Sequence, residues 1–305
     1  MRNSRELPPE LGDEAFLVSD AEAAGVTPSQ LRSARLSTPF HGVRTVQQVV
    51  STEERCAAYA PRLTAEQFFS HITAAELYGF PLPRDLRDGP TLHVAVIPPA
   101  FPPRARGIAG HRLTEAAPPW TKGGLRAQPP ADVWSHLGPF LSHDELVMVG
   151  DHLVRRKRPL CTLAQLRDAV ESGRGVPGIV DVRASLSDVR VGTDSPRETK
   201  LRLVIIRAGL PEPVIGHTVI NSDGQFVGTP DLSYVEEKIA IEYEGEHHRT
   251  DPRTYEDDII RRELFEDAGW LVIRVTKAHL AGQHHWLTQR IARALAERSG
   301  RRPGQ

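Results

Sequence analysis

At 305 residues the chain exceeds one typical domain, and its 39% apolar and 25% charged residues indicate an ordinary folded protein of two or three domains. The formal net charge of −1 excludes a protein that binds polyanions through bulk positive charge, so phosphate contact would require a local basic surface. The only cysteines, Cys56 and Cys161, are too few for a cysteine-rich zinc site and do not indicate a disulfide framework.

The sequence predicts a cytoplasmic protein with no membrane partner. Apolar runs all fall short of the roughly 20 residues that span a bilayer. The stretch from Met1 to Asp20 has no long apolar segment after a basic start, so a secretory signal is not expected.

Residues 1–60 are predicted to form a helical unit of the helix-turn-helix or winged-helix kind. A first helix is expected over 21–24, capped by Ser19-Asp20, and a second helix is expected to begin at Pro28. A strand over 40–46 would supply the wing. This outline is typical of DNA-binding domains, but two short helices with a Gly turn also occur in many other proteins.

Residues 61–160 are predicted to form an α+β region, and residues 161–194 a connecting helix followed by a Gly-rich linker. The elements expected here are helices over 64–78, 142–154 and 162–171 and a strand over 92–97.

Residues 195–298 are predicted to form a mixed sheet flanked by helices, followed by a disordered tail over 299–305. The order of elements is α-β-β-β-α-β-α. The expected spans are helices over 196–208, 254–268 and 286–297 and strands over 214–220, 225–234, 239–244 and 270–275. The fold class is therefore α+β or α/β.

Two segments carry local positive charge. One is the run from Arg155 to Arg158, and the other lies beyond Ala281, where five arginines face Glu297 alone. Such segments are either solvated helix ends or contacts to phosphate.

The residues 229–245 indicate a hairpin with a carboxylate on each strand. If Glu236 and Glu237 form the turn, Asp231 lies directly opposite Glu242, where cross-strand Cβ atoms are roughly 5 Å apart. Two bare carboxylates at this distance repel each other, whereas a cation between them would make the arrangement favourable. Mg²⁺ suits such a pair, because it often takes one or two protein carboxylates together with waters and phosphates.

Five pieces of the last unit, in this order and spacing, resemble a known nuclease group. They are Ser195-Pro196-Arg197-Glu198, Pro230-Asp231, the run 241–248 (IEYEGEHH), Asp258 with Arg261 and Arg262, and the strand 269–275 (GWLVIRV). The resemblance is to the Vsr-like (very-short-patch-repair-like) endonucleases of the PD-(D/E)XK superfamily and covers about 195–280. It implies a restriction-endonuclease-like sheet.

The resemblance implies that Asp231 and Glu242 ligate Mg²⁺, for which Mn²⁺ can substitute. It further implies that Glu198 reaches the metal from its helix. Glu198 has an alternative reading, since an acid in a first helical turn is favoured by the helix dipole. Glu244 occupies the position that is usually Lys, and it either completes the ligand set or holds a water; Lys238 and Lys200 are alternative sources of the missing cation.

His248 is the preferred general acid or base of the pair His247-His248, because histidine exchanges its proton near neutral pH. Arg249, Arg261 and Arg262 are candidate contacts to the DNA backbone. The alternatives are an exposed histidine loop and, for Arg262, a helical ion pair with Asp258.

The front two-thirds of the chain resembles the actinobacterial form of the AbiEi-type antitoxin architecture. The residues that carry this looser resemblance are Phe40-His41-Gly42-Val43 and the run 70–79 (SHITAAELYG). It implies DNA binding through the first domain and a protein partner from a toxin–antitoxin or defence system.

Two functions from different classes therefore remain open. The first is a Mg²⁺-dependent DNA endonuclease with an amino-terminal DNA-binding or regulatory region. The second is a catalytically inactive, DNA-binding transcriptional regulator or toxin–antitoxin component, which the absence of the usual Lys favours.

Overall fold

The chain folds as two compact units. The computed structural model describes residues 7, 8, 11, 14–114, 118–244 and 252–300, and over 252–259 it describes the helical backbone alone. Unit 1 comprises the described residues up to 149 together with 161–187, and unit 2 comprises 150–160 together with the described residues from 188 onward. Both units combine helices with sheets, which confirms the α+β class. Within the described parts of the chain, no helix is long and apolar enough to cross a membrane.

Unit 1 alternates short strands and helices. Its strands are β1 (Phe16–Leu17), β2 (Val43–Arg44), β3 (Phe68–Phe69), β4 (Leu92–Val96), β5 (Ile108–Arg112), β6 (Trp120–Lys122) and β7 (Leu125–Ala127). Its helices are α1 (Val18–Ala23), α2 (Pro28–Leu31), α3 (Thr52–Tyr59), α4 (His71–Leu77), α5 (Pro130–Ser135), α6 (His143–Leu153, which ends in unit 2), α7 (Leu163–Ser172) and α8 (Ile179–Leu186).

A mixed sheet of five strands, in the order β5-β4-β3-β7-β6, forms the centre of unit 1. Strands β4 and β5 are parallel, as are β3 and β7, whereas β3 and β4 are antiparallel. The indole of Trp134 is fully buried and donates to the carbonyl of Leu146 at 2.9 Å, so the largest apolar side chain of this core also satisfies its polar atom.

The helix predicted over 64–78 is shorter than expected. Phe68 and Phe69 are both fully buried and form β3, and Ser70 is still extended with φ −145°. Two adjacent buried phenylalanines fit a strand that is covered on both faces, and this burial overrides the helical spacing. The helix begins only at His71.

The amino-terminal helices differ from expectation at their caps. Helix α1 begins at Val18, and Leu17 occupies its N-cap without a side-chain hydrogen bond, so Asp20 lies in the first turn. Helix α2 has the stronger start, because Thr27 and Gln30 form a reciprocal capping box ahead of Pro28. Strands β1 and β2 pair as an antiparallel ribbon.

The segment predicted as a Gly-rich linker contains helix α8. A Cβ built on Gly178 would lie 2.6 Å from the carbonyl carbon of Gly138, so only glycine permits this close approach of two backbone segments in unit 1. Cys56 and Cys161 are both buried in unit 1, and burial raises the pKa of the Cys161 thiol to about 12.

Unit 2 keeps the predicted order of helices and strands, except that the strands expected over 214–220 and 225–234 are each divided in two and an additional short helix precedes the last one. Its helices are α9 (Pro196–Arg207), α10 (Pro252–Asp267), α11 (Lys277–Ala281) and α12 (His284–Ser299), and its strands are β8 (Val214–Ile215), β9 (Val219–Ile220), β10 (Phe226–Gly228), β11 (Leu232–Tyr234), β12 (Ile239–Tyr243) and β13 (Leu271–Val275). Strands β9 and β10 form a separate ribbon, and the other four form a mixed sheet in the order β13-β12-β11-β8.

The four-stranded sheet is covered on both faces. Side chains such as Ile241 and Ile273 pack with Leu201 of α9 and Leu287 of α12. The alternate side chains, among them Ala240, pack on the opposite face against α10. This alternation follows from the two-residue period of a strand.

A fully buried ion pair fixes α9 against the segment 150–160. Arg202 donates to Asp151 Oδ2 through Nη2 at 3.1 Å, and neither side chain is exposed. Thr199 donates to the same oxygen at 2.8 Å, and the backbone N–H of Arg190 donates to Oδ1 at 2.7 Å. A second carboxylate, Glu212, accepts from Arg202 Nη1 at 3.0 Å. Every oxygen of Asp151 is therefore hydrogen-bonded in a region without water contact.

Asp151→Ala should lower the free energy of unfolding by about 3–5 kcal/mol, toward the lower end because Glu212 still pairs with Arg202. Urea denaturation followed by far-UV circular dichroism measures this change. The control is Glu266→Ala, which removes an exposed i,i+4 partner of Arg262 and should cost less than about 1 kcal/mol. Equal effects of the two substitutions would show that the buried pair is not a stabilising contact.

Candidate functional site

The hairpin of β11 and β12 places two acids opposite each other. Leu232 pairs with Ile241, and the residues 235–238 form the turn, so Asp231 lies opposite Glu242 as the sequence predicted. Asp231 Oδ2 accepts the backbone N–H of Tyr243 at 2.7 Å. Burial raises the pKa of the Asp231 carboxyl, and this hydrogen bond opposes the effect only in part.

Two arginines pair with the acids at the end of β12, Glu242 within the strand and Glu244 directly after it. Glu242 Oε1 accepts from Arg261 Nη2 at 2.6 Å, and Glu244 Oε1 accepts from Arg274 Nη1 at 2.7 Å. Arg261, predicted as a DNA contact, therefore binds one of the predicted metal ligands, and it also donates to the carbonyl of Thr229 at 3.3 Å. Arg274 of β13 is directly opposite Glu242 in the parallel pairing, so it is a cation that lies beside the acids of β12.

Glu198 reaches the same region from the first turn of α9. Its backbone N–H donates to the N-cap Ser195 Oγ at 3.3 Å, and its side chain is 8% exposed. Burial, together with the negative charge of Asp231, raises the pKa of the Glu198 carboxyl to about 7. The structure thus makes Glu198 and Asp231 electrostatic neighbours, although they are far apart along the chain.

Asp194 and Arg156 complete this group, and neither was predicted as a site residue. The backbone N–H of Asp194 donates to Glu198 Oε2 at 2.8 Å. Arg156 forms an ion pair with Asp194 Oδ2, and the charges of Asp194, Glu198 and Asp231 all raise the pKa of its guanidinium. Asp194 Oδ1 is buried and has no hydrogen-bond partner among the described residues. Two separate features of the sequence pointed to these residues: the basic run at 155–158 contains Arg156, and Asp194 is the acid just before Ser195.

Several predicted site residues lie elsewhere in unit 2. Arg262 pairs with Glu266 at 2.8 Å on the exposed surface of α10. Lys238 lies in the hairpin turn, at the opposite end of β12 from Glu242, and donates to the carbonyl of Ala268 at 3.2 Å. Lys238 is therefore ruled out as a stand-in for the missing Lys. Lys200 is exposed on α9.

The remaining predicted residues are not covered by the structure. His247, His248 and Arg249 lie outside the described residues, and so does the side chain of Asp258. Their proposed roles stay predictions from the sequence.

Comparison with known proteins yields distant relatives only. The chain is 27% identical over 224 residues to the "Uncharacterized protein MT2308" of Mycobacterium tuberculosis (strain CDC 1551 / Oshkosh) and, to the same extent, to the "Uncharacterized protein Rv2248" of Mycobacterium tuberculosis (strain ATCC 25618 / H37Rv). In both cases the match covers 73% of this chain and 79% of the relative. No family model and no solved structure matches the chain. The functional argument therefore depends on the geometry of the site.

The raised pKa of Glu198 predicts a specific pH dependence of stability. Its folded-state pKa of about 7 exceeds the ordinary value of 4.5, so the stabilisation is complete below pH 4.5 and is lost as the pH rises through about 7. Between pH 4.5 and pH 8 in metal-free buffer, the unfolding free energy of the wild type should fall by about 2–3 kcal/mol more than that of Glu198→Gln.

Urea unfolding of both proteins at the two pH values measures this difference. Glu266→Gln, which changes an exposed glutamate of the same unit, should follow the wild type throughout. Parallel pH profiles for wild type and Glu198→Gln would contradict a buried, proton-binding carboxyl at this position.

Proposed function

We propose that unit 2 binds Mg²⁺, for which Mn²⁺ can substitute, and hydrolyses phosphodiester bonds of DNA as an endonuclease of the PD-(D/E)XK type. The observation that carries this proposal is the grouping of the buried Glu198 and the half-buried Asp231, two carboxyls with raised pKa values, one from α9 and one just before β11. Crowded buried carboxyls are stabilised by a cation, and clusters of this kind are characteristic of functional sites.

The donor set fits a hard divalent cation. The buried Oδ1 of Asp194 is without a hydrogen-bond partner among the described residues, so a potential oxygen ligand is available beside Glu198. Three carboxylate oxygens of unit 2 do not lie within 4.8 Å of one another in the described residues. An ion held by only one or two of these oxygens would complete its shell with waters and phosphate oxygens, as Mg²⁺ does.

Asp231 and Glu242 would hold the ion, with Glu244 or Asp194 as further ligands. When bound, Mg²⁺ polarises the phosphate and lowers the pKa of a coordinated water. The pKa of Glu198 is about 7 without a cation and would fall beside a bound ion, so its carboxylate suits a role as general base or as a further ligand.

Arg261 links DNA binding to the availability of Glu242. In the structure its guanidinium pairs with the Glu242 carboxylate while remaining partly exposed. A phosphate oxygen of DNA would compete for the same guanidinium, since arginine binds phosphate and carboxylate in similar geometries. Contact with DNA would therefore weaken the ion pair between Arg261 and Glu242.

The proposal assigns DNA recognition or regulation to the front of unit 1. Residues 1–60 would be the winged-helix-like part and 61–160 the AbiEi-like part, with 195–298 as the nuclease domain. Helices α1 and α2 and the ribbon of β1 and β2 support the first assignment, since this is a helix pair with a small β element. A protein partner from a toxin–antitoxin or defence system and a cytoplasmic location are part of the same proposal.

One observation favours the alternative, a catalytically inactive DNA-binding regulator. Glu242 and Glu244 are both paired with arginines of the same unit, so these two acids are balanced without a cation. In that case unit 2 would serve as a docking module.

Asp231→Asn and Glu242→Gln should each slow the nicking of supercoiled plasmid at least roughly a hundredfold, because an ion of this kind supplies several kcal/mol of transition-state stabilisation. The assay uses the full chain with Mg²⁺ or Mn²⁺ and an EDTA blank. The matched control, Glu266→Gln, should cut at the wild-type rate. Cutting that survives both site substitutions would remove this site from the reaction.

The regulatory alternative makes a separate prediction about unit 1. Arg32 and Arg35 are exposed at and just after the end of α2. If this end of α2 contacts the DNA backbone, Arg32→Ala and Arg35→Ala should each weaken binding of the full chain to labelled duplex DNA and reduce the salt slope by about one. Anisotropy titrations in EDTA at several salt concentrations measure both effects. Wild type that binds DNA but never cuts it would identify the protein as a regulator, and unchanged slopes would exclude these arginines as contacts.

A further inference from the structure

Three histidines come together in unit 1, and none of them belongs to the candidate site of unit 2. His71, His93 and His111 each offer one ring nitrogen, and these three atoms all lie within 4.8 Å of one another. His93 Nδ1 is 3.0 Å from His111 Nε2, and the rings of His71 and His111 are stacked with centroids 3.9 Å apart.

The fold, and not a local sequence motif, assembles the three residues. His93 lies on β4 and His111 on the parallel strand β5, where His93 pairs with Ala109 and Ala95 with His111. Because side chains two residues apart point to the same face, both histidines lie on one side of the sheet. His71 joins them from the first position of α4, and the N–H of Ser70 donates to the carbonyl of His93 at 3.0 Å.

The backbone at His71 is in a rarely occupied conformation. Its φ is +48°, and non-glycine residues in this region are uncommon and concentrate at ligand-binding and catalytic sites. Helix α4 begins at this residue without a side-chain cap from Ser70, whose hydroxyl instead contacts His71 Nδ1 at 3.0 Å. The Ser70 hydroxyl therefore orients the imidazole of His71 and does not cap the helix.

The surroundings keep the imidazoles in the form that binds metal. Burial and the neighbouring histidines lower the pKa of His71 to about 2 and that of His93 to about 4, so both rings are neutral at pH 7. The ring of Phe140 meets both His71 and His93 edge-on, which gives the group an apolar wall. A polar contact between the second ring nitrogen and a fixed neighbour, as at His71, is the usual way in which a protein selects the tautomer of a metal ligand.

We propose that His71, His93 and His111 form a binding site for one Zn²⁺ ion, with a fourth position left to a non-protein ligand. Imidazole nitrogens suit Zn²⁺, Cu²⁺ and Ni²⁺ better than Mg²⁺ or Ca²⁺. In a tetrahedral site with Zn–N bonds of about 2.0–2.1 Å, ligand nitrogens lie roughly 3.3 Å apart, close to the 3.0 Å between His93 and His111. Three histidines and an open position match the ligand number of catalytic zinc sites, not that of closed structural ones.

His136 is the nearest further histidine and lies outside the ligand group. Its ring meets that of His71 edge-on with centroids 5.1 Å apart. Its Nδ1 is 2.7 Å from the carbonyl of Asp132 and 3.1 Å from Gln128 Nε2. Gln128 Oε1 in turn approaches the backbone N–H of His71 at 3.5 Å. This chain of contacts links the first residue of α4 to α5 through Gln128 and His136.

The test is a titration of the metal-free full chain with Zn²⁺ by calorimetry, and with Co²⁺ by visible absorption, which reports four-coordinate sites. The variants are His93→Gln and His111→Gln, and the matched control is His41→Gln, an exposed histidine of the same unit. Wild type and control should bind one more ion than either site variant, or bind it at least roughly a hundredfold more tightly. Equal stoichiometry and affinity in all four proteins would overturn the proposal.

Two measurements keep the result interpretable if a site variant folds poorly. X-ray absorption at the zinc edge of wild type loaded with one equivalent should show three imidazole ligands, and a first shell with fewer than two imidazoles would refute the site. Asp231→Asn should bind this Zn²⁺ as wild type does, so the outcome is independent of the Mg²⁺ proposed for unit 2. Zn²⁺ binding that is lost in Asp231→Asn but retained in His93→Gln would place the ion in unit 2 and sink the histidine proposal.

Discussion

The buried ion pair between Asp151 and Arg202 is the constraint on which the candidate site of unit 2 depends. Neither charge contacts solvent, so each is stable only with its partner in place. Asp151 and Arg202 come from segments that are distant along the chain, and their pairing leaves α9 little freedom against 150–160. The first turn of α9 carries Glu198, and 150–160 carries Arg156. The Asp151–Arg202 ion pair therefore brings Glu198, Arg156 and Asp194 together, although neither Asp151 nor Arg202 belongs to that group.

The sequence predicted what local patterns determine. A turn placed at Glu236 and Glu237 predicted the register that sets Asp231 opposite Glu242, and proline and glycine signals bounded α9 and β13 within a few residues. Patterns failed where burial decided the outcome. The adjacent Phe68 and Phe69 became a covered strand instead of a helix, and α8 formed in a segment whose glycines suggested a linker. The partners of Glu198 and Glu242 could not be predicted either, because Arg156 and Arg261 reach them from distant segments through tertiary packing.

The acids of unit 2 fall into two classes that differ in how their charge is balanced. Glu242 and Glu244 each have an arginine within 2.7 Å, whereas burial raises the pKa values of Asp231 and Glu198, so these two carboxyls bind protons more readily. The first class is balanced by fixed cations of the protein, and the second responds to a nearby positive charge by releasing a proton. Unit 1 presents the opposite chemistry, with neutral nitrogen donors at His71, His93 and His111. The candidate ligands are thus hard oxygens in unit 2 and borderline nitrogens in unit 1, which suit different classes of metal ion.

The positions of the two cysteines have a practical consequence. Cys56 and Cys161 both belong to unit 1 and are both shielded from solvent, and burial raises the pKa of each thiol. A thiol must ionise and be accessible before it reacts with an alkylating reagent, so the cysteines of the native protein should not react with maleimides. Labelling of either native cysteine would then report a transient opening of unit 1. A cysteine introduced in place of the exposed Ser222 would therefore be the one reactive thiol of the folded chain. It could be labelled with a fluorophore or spin probe without replacement of Cys56 or Cys161.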